Sequence, residues 1–165
     1  MRKIDKLLYV DLDGVLADFW ARITELHPEL HGMEEGDKRG DYVDHLLEYH
    51  CPRMFNTLNP MEPNAADSYK LLASVYDTYI LSTPSWVAPD SWTDKRLWVE
   101  RHLGDAAKKR VILSNNKGLL KGDYLVDDRI ANGVDNFEGE HIHYGTEKFP
   151  GWDAVIAYLK EKDGW

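Results

Sequence analysis

The chain has 165 residues, 43% of them hydrophobic and 30% charged, which is enough for one domain with a sizeable core. Its net charge of -9 argues against a general nucleic-acid or membrane-surface binder but leaves open a small anionic substrate, whose field a bound metal and one or two lysines can offset. Cys51 is the only cysteine, no apolar run approaches membrane-spanning length, and the N-terminus lacks the apolar core of a secretion signal; the expectation is a soluble cytoplasmic protein without disulfides.

In chain order, Lys6–Asp11 reads as the first strand. The apolar run Leu7-Leu8-Tyr9-Val10 ends at Asp11, followed by Leu12, Asp13 and Gly14. A buried strand delivers its end to the sheet edge, where open α/β folds hold their ligands. Two acids placed there repel each other and lose hydration, a cost that makes sense if a hard divalent cation neutralises them. The next strand candidate, Thr78–Ser82, comes much later. Between them lie a helix-like stretch (Leu16–Leu26), a polar glycine-containing linker (His31–Gly40), a second helix (Tyr42–His50) and an exit marked by Pro52, Pro60 and Pro63. Long insertions without a strand partner are commonly lids or binding loops. We therefore expect residues 17–63 to form a small helical cap, with 1–16 and 64–165 as the core.

Ala65–Tyr76 has helical spacing, with Tyr69, Leu72, Ala73 and Tyr76 on one face. Ser91–Leu103 opens with Ser91 and Asp94 at capping-box spacing and stops at Gly104. Strand candidates follow at Arg110–Ser114, Tyr124–Asp127 and His141–Tyr144, and Trp152–Leu159 closes the chain as a helix. Short strands alternating with helices predict an α/β domain of three layers, its mainly parallel sheet covered on both faces.

Four separated pieces fall at or just beyond the strand ends: Asp11-Leu12-Asp13, Ser82-Thr83, Lys117 and Asp127-Asp128. Several carboxylates offer the oxygen-rich surroundings that Mg²⁺ requires, and a lysine with a hydroxyl suits a phosphoryl group bridged by that metal. One aspartate can attack phosphorus, and a second, two residues on, can protonate the leaving alcohol and later deprotonate water.

As an ordered set these four pieces resemble the motifs of the haloacid-dehalogenase-like phosphohydrolases. Asp11-Leu12-Asp13-Gly14-Val15-Leu16-Ala17-Asp18-Phe19, Tyr79-Ile80-Leu81-Ser82-Thr83-Pro84, Trp98-Val99-Glu100 and Leu125-Val126-Asp127-Asp128-Arg129 further resemble the 5'(3')-deoxyribonucleotidases. The likeness runs from Leu8 to about Leu159 and is thinnest in the cap. It implies a Rossmann-like core and a Mg²⁺-dependent phosphomonoesterase acting on a nucleoside monophosphate, a deoxyribonucleotide. By position, it implies that Asp11 is the nucleophile and a metal ligand. Asp13 is the general acid/base and lends its backbone carbonyl to the metal. Ser82, with Thr83 beside it, binds the phosphoryl group, and Lys117 stabilises its charge. Asp127 completes the metal shell with Asp128 in support. Lys121 competes for the lysine role, but the ten-residue spacing from Lys117 to Asp127 looks like the family pattern. Phe19 and Phe55 match cap aromatics that sandwich the base, with Trp20 as an addition.

Each feature also has a bland alternative. Asp13-Gly14 is a common turn pair, Asp127-Asp128 could be a solvated loop neutralised by Arg129, and Ser82-Thr83 could cap a following segment. Phe19 and Phe55 could be packing residues. We take Trp86, Trp92, Trp98 and Trp152 as packing, Cys51 as a buried apolar residue, and Met33–Asp41 as a solvated face or a mobile cap loop. His141 and His143 are expected on a solvent-facing strand edge. Two rival functions remain: a phosphatase acting on sugar phosphates or nucleic-acid termini, and a non-catalytic Mg²⁺- or phosphate-binding module. The acidic charge disfavours nucleic acid as a partner.

Overall fold

The computed structural model of the chain describes residues 3–165. Its strands are β1 (Leu7–Val10), β2 (Asp77–Ser82), β3 (Val111–Leu113), β4 (Tyr124–Asp127) and β5 (Glu140–His143). They form one five-stranded sheet in the order β3-β2-β1-β4-β5, every neighbouring pair parallel. All five strands predicted from sequence are present. β1 lies in the middle, which explains its unbroken apolar run: Leu8 and Val10 face one side and Tyr9 the other, all buried.

The helices are α1 (Phe19–Leu26), α2 (Asp37–Tyr49), α3 (Ala65–Val75), α4 (Asp90–Leu103) and α5 (Trp152–Asp163). Moving from β1 to β2 to β3 is movement in one direction across the sheet, so right-handed crossovers put α3 and α4 on one face. Tyr69, Leu72 and Val75 of α3, Trp98, Val99 and Leu103 of α4, and Trp152, Val155 and Leu159 of α5 share a buried cluster with Leu8, Val10, Ile80 and Val126. The third layer is thin. Among the described residues, Val134, Phe137 and Leu120 from the short connections around β4 cover Tyr9, Leu81 and Leu125, in place of long helices.

Residues between β1 and α3 hold α1, α2 and single 3-10 turns at Pro28–Gly32 and Met54–Thr57. The segment leaves and rejoins through a paired neck: Ala17 bridges Pro60, the Asp18 N–H donates to Asn59 O (2.8 Å), and the Met61 N–H donates to Leu16 O (2.7 Å). Its Ile23, Leu30, Leu46 and Phe55 belong to the same buried cluster as the sheet, so this insertion shares the core. Its return path packs on α4, where Trp98 Nε1 donates to Leu58 O (2.8 Å) and Arg101 donates to both Asn56 oxygens (2.7 Å each).

Several local expectations change. α2 begins at Asp37, inside the stretch expected to be linker, and α1 begins at Phe19 because residues 12–17 are spent on a turn. The Ser91–Asp94 capping box does not form. α4 starts at Asp90, the Ser91 hydroxyl donates back to Ser85 O (3.2 Å), and fully buried Asp94 draws the Arg53 guanidinium to 2.5 Å instead. Trp98, Trp152 and Cys51 are buried as expected, but Trp86 is 81% exposed and Trp92 41% exposed, because both sit where the chain turns from β2 into α4.

Candidate active site

The ends of β1, β2 and β4 bring three of the four sequence pieces to one edge, and the loop after β3 brings the fourth. Asp11 leaves β1 with its N–H on Val126 O (3.0 Å). The chain then turns tightly around the Leu12 carbonyl, which accepts from the N–H groups of Val15, Leu16 and Ala17. Gly14 takes a left-handed φ of +76°, and a Cβ there would lie 2.2 Å from Asp128 Oδ2. Only glycine lets the first and fourth motifs touch.

Lys117, almost fully buried, sits 3.0 Å from Asp11 Oδ1 and donates to Asp127 Oδ2. The other Asp127 oxygen accepts from the Arg129 N–H (3.0 Å). Burial works against the Lys117 ammonium, but Asp11 and Asp127 outweigh it and raise its pKa. Burial, and then the charge of Asp11, push Asp127 up to about 6 and Asp128 up to about 7, with Asp127 adding to the push on Asp128. Loss of water around its carboxylate raises the Asp13 pKa, Lys95 pulls it back, and Asp11 adds a smaller upward push.

Lys95 escaped the sequence reading. Its Nζ, 1% exposed, donates to Asp13 Oδ2 and to Ser82 Oγ (3.1 Å), and lies 4.8 Å from the Phe55 ring centroid. A signal was available. Ser91, Asp94, Lys95, Trp98 and Val99 fall on the buried stripe of α4, and a lysine on such a stripe must have found a carboxylate.

The remaining candidates fall out as follows. Ser82 is buried beside Lys95. The Thr83 hydroxyl donates to Ser114 O (2.9 Å), tying the ends of β2 and β3 together. Lys121 is exposed and pairs with Glu138 at 3.1 Å, away from the carboxylates. Phe19 and Phe55 do come together, but they stack on each other with centroids 5.7 Å apart. A base between them would need about 7 Å, two van der Waals separations. Trp20 is 38% exposed and covered by Arg39, 4.6 Å from its ring. His141 and His143 do not face solvent freely: half-buried and stacked, they reach the carbonyls of Asp127 and Asp128. Two surface clefts lie elsewhere, one of about 330 Å³ at the opposite sheet edge by Lys3, Thr78 and Arg110, another of about 400 Å³ between α3 and α5.

One oxygen from each of Asp11, Asp127 and Asp128 fits within 4.8 Å. Four carboxylates (Asp11, Asp13, Asp127, Asp128) gather around two ammonium groups (Lys95, Lys117), an excess of two negative charges when all are ionised. Asp128 Oδ1 is buried with no hydrogen-bond partner among the described residues. A hard divalent cation supplies both the missing charge and the missing partner, so the donor set fits Mg²⁺.

Residues 5–149 match the profile of the family described as 5' nucleotidase, deoxy (pyrimidine), cytosolic type C. The chain belongs to this family. A protein of Vibrio phage KVP40 designated a candidate 5'(3')-deoxyribonucleotidase is 44% identical over 163 residues, 98% of this chain and 89% of that one. A similarly designated protein of Bordetella bronchiseptica is 35% identical, covering 84% of this chain and 82% of its own. The human cytosolic 5'(3')-deoxyribonucleotidase is 30% identical, covering 89% and 77%. A solved haloacid dehalogenase-like hydrolase of Burkholderia xenovorans LB400 aligns at 15% identity and a TM-score of 0.49, over 83% of this chain and 80% of that one. The chain is thus a phosphoric monoester hydrolase by family. Among the described residues no helix is long and apolar enough to cross a membrane.

Proposed function

We propose that the chain is a Mg²⁺-dependent phosphomonoesterase that hydrolyses nucleoside monophosphates, deoxyribonucleotides in particular, through an aspartyl-phosphate on Asp11. The observation that carries this reading is the division of the Asp11–Asp13 pair between two lysines, Lys117 on Asp11 and Lys95 on Asp13. Two carboxylates with a single residue between them then sit in different surroundings, as a nucleophile and a proton carrier must.

Asp11 forms the new bond to phosphorus while the ester oxygen leaves, and Asp13, its pKa raised, gives that oxygen a proton. In the second half Asp13 takes a proton from water as the water oxygen attacks phosphorus. The bond between phosphorus and Asp11 breaks, and inorganic phosphate leaves. The Lys117 ammonium and the Ser82 hydroxyl offset the growing charge on the phosphoryl oxygens. Lys95 holds Asp13 against Ser82, so the acid and the phosphoryl donor keep a fixed relation. Thr83 keeps the strand ends in line rather than binding phosphate through its hydroxyl.

Mg²⁺, when bound, neutralises the nucleophile and the phosphoryl oxygens as a Lewis acid. The sequence reading put Asp127 in the metal shell and Asp128 behind it. Asp127 already spends its oxygens on Lys117 and the Arg129 N–H, whereas Asp128 has a buried oxygen without a partner. We therefore assign the metal to Asp11, Asp128 and the backbone carbonyl of Asp13, with Asp127 orienting Lys117. Residues 17–63 act as the cap, and the stacked Phe19–Phe55 pair offers the base one apolar wall rather than a slot.

Phosphate release from a panel of dUMP, dTMP, ribonucleotides and sugar phosphates with Mg²⁺ tests this reading. We expect turnover of the deoxynucleotides, and none by Asp11→Asn despite an unchanged fold. Brisk turnover of sugar phosphates with no nucleotide turned over would remove the substrate assignment. Near-normal activity in Asp11→Asn would remove the covalent mechanism.

A further inference from the structure

We propose that His141 and His143 are positioning residues that fix the Asp127–Asp128 backbone, and through it the direction of the Asp128 carboxylate. This rests on the reading that Asp128 is a metal ligand. β4 ends at Asp127, so the carbonyl of Asp128 lies beyond the sheet ladder and must find another donor. β5 runs parallel to β4 with His143 opposite Asp127 and His141 opposite Leu125, and their alternation puts both rings on one face.

His141 Nε2 lies 2.9 Å from Asp127 O, and His143 Nε2 lies 3.1 Å from Asp128 O. A carbonyl can only accept, so each ring carries its proton on Nε2 at that bond. The rings stack with centroids 4.9 Å apart at 26°, which holds the pair in step. Asp127 O also accepts from the Tyr144 N–H (3.0 Å), so that peptide is held from two sides. The carbonyls of Asp127 and Asp128 belong to the peptide planes on either side of the Asp128 Cα. Fixing both planes fixes the Cα–Cβ vector of Asp128, the base from which the carboxylate with its unpartnered Oδ1 extends. Residues that orient a ligand without touching the metal typically carry about 10- to 100-fold of its affinity.

Mn²⁺ binding by titration calorimetry, in the absence of substrate, is the first readout. His143→Leu removes the donor, and His143→Gln restores an amide N–H of similar reach. We expect His143→Leu to weaken Mn²⁺ binding about tenfold or more. It should also lower kcat for dUMP with little change in KM, and His143→Gln should recover most of both. The second readout needs no variant: nitrogen-detected NMR of the wild-type imidazoles should find a proton on Nε2 of both rings. Wild-type Mn²⁺ affinity in His143→Leu, with only the melting temperature lowered, overturns the inference, as does an Nδ1–H tautomer in either ring. Failure of the wild type to bind Mn²⁺ overturns the metal assignment itself, and this inference with it.

Discussion

Gly14→Ala tests the site at its tightest contact. Two penalties follow from the structure. The backbone at +76° lies in the left-handed region, which costs a residue with a Cβ about 1–2 kcal/mol. The new methyl would start 2.2 Å from Asp128 Oδ2 and must reach at least 3.0 Å, so the carboxylate retreats by about 0.8 Å. For a domain of this size the first penalty lowers the melting temperature by about 2–8 °C. A displacement near 1 Å in a group that positions the reaction costs about 100-fold in rate. The expected variant is therefore folded, slightly less stable, at least about tenfold weaker for Mn²⁺, and about 100-fold slower on dUMP. Thermal melting, calorimetric Mn²⁺ titration and steady-state kinetics check the three parts. Wild-type Mn²⁺ affinity and rate in a variant with a lowered melting temperature would refute the reasoning, since Asp128 would then matter only for packing.

Lys95→Met should fold, because Asp13 keeps some solvent contact and can protonate. It should lose about 10²- to 10³-fold in kcat on dUMP while binding Mn²⁺ normally; a loss of less than threefold would make Lys95 a structural residue. Phe19→Ala should raise KM for dUMP about two- to tenfold and leave ribose 5-phosphate unaffected, as expected for one lost aromatic contact; equal effects on both would deny a base-facing role. Asp163 closes the far edge of the sheet, accepting from Lys6, Tyr76 and Tyr124. Burial pushes its pKa up, but these donors win and lower it. A depressed carboxylate pKa stabilises above the unfolded value of about 3.9, and that stability is lost as pH falls through the folded value. Denaturant unfolding should find Asp163→Asn about 1–3 kcal/mol less stable at pH 7, with the difference shrinking below pH ~4.

Strands were the most legible part of the sequence, because a parallel sheet buried on both faces demands short apolar runs bounded by polar turns. Leu7–Val10 and Tyr124–Asp127 satisfy that demand almost without ambiguity. Asp11, Asp13, Ser82, Lys117 and Asp127 were legible as an ordered set because strand ends converge in this topology. Lys95 was harder to see: its place on the buried stripe of α4 marks it as turned inward, but its carboxylate partner lies 82 positions away in the chain. Which of Asp127 and Asp128 pairs with Lys117 was equally hidden, because both follow the same strand end. His141 and His143 read as an exposed edge because β5 ends the sheet, yet their rings fold inward over the end of β4.

The helix α4 joins two things that the sequence kept apart. Its inward face carries Lys95 to Asp13, and its other contacts hold the return path of the insertion. Trp98 bonds to Leu58, Arg101 to Asn56, and Asp90 accepts from the Arg53 N–H. Asp94 adds a fully buried carboxylate beside Arg53, close in distance but without an aligned hydrogen bond. Phe55 is held in this same segment and lies against the Lys95 ammonium. Any shift of residues 54–57 relative to the sheet therefore acts on the helix that sets the surroundings of Asp13. The insertion and the Asp13 side of the site form one mechanical unit, whereas Asp11, Lys117 and Asp127 are held by β1, β4 and the loop between β3 and β4. Under the proposed mechanism, such a split would let contacts on the insertion adjust Asp13 without disturbing Asp11.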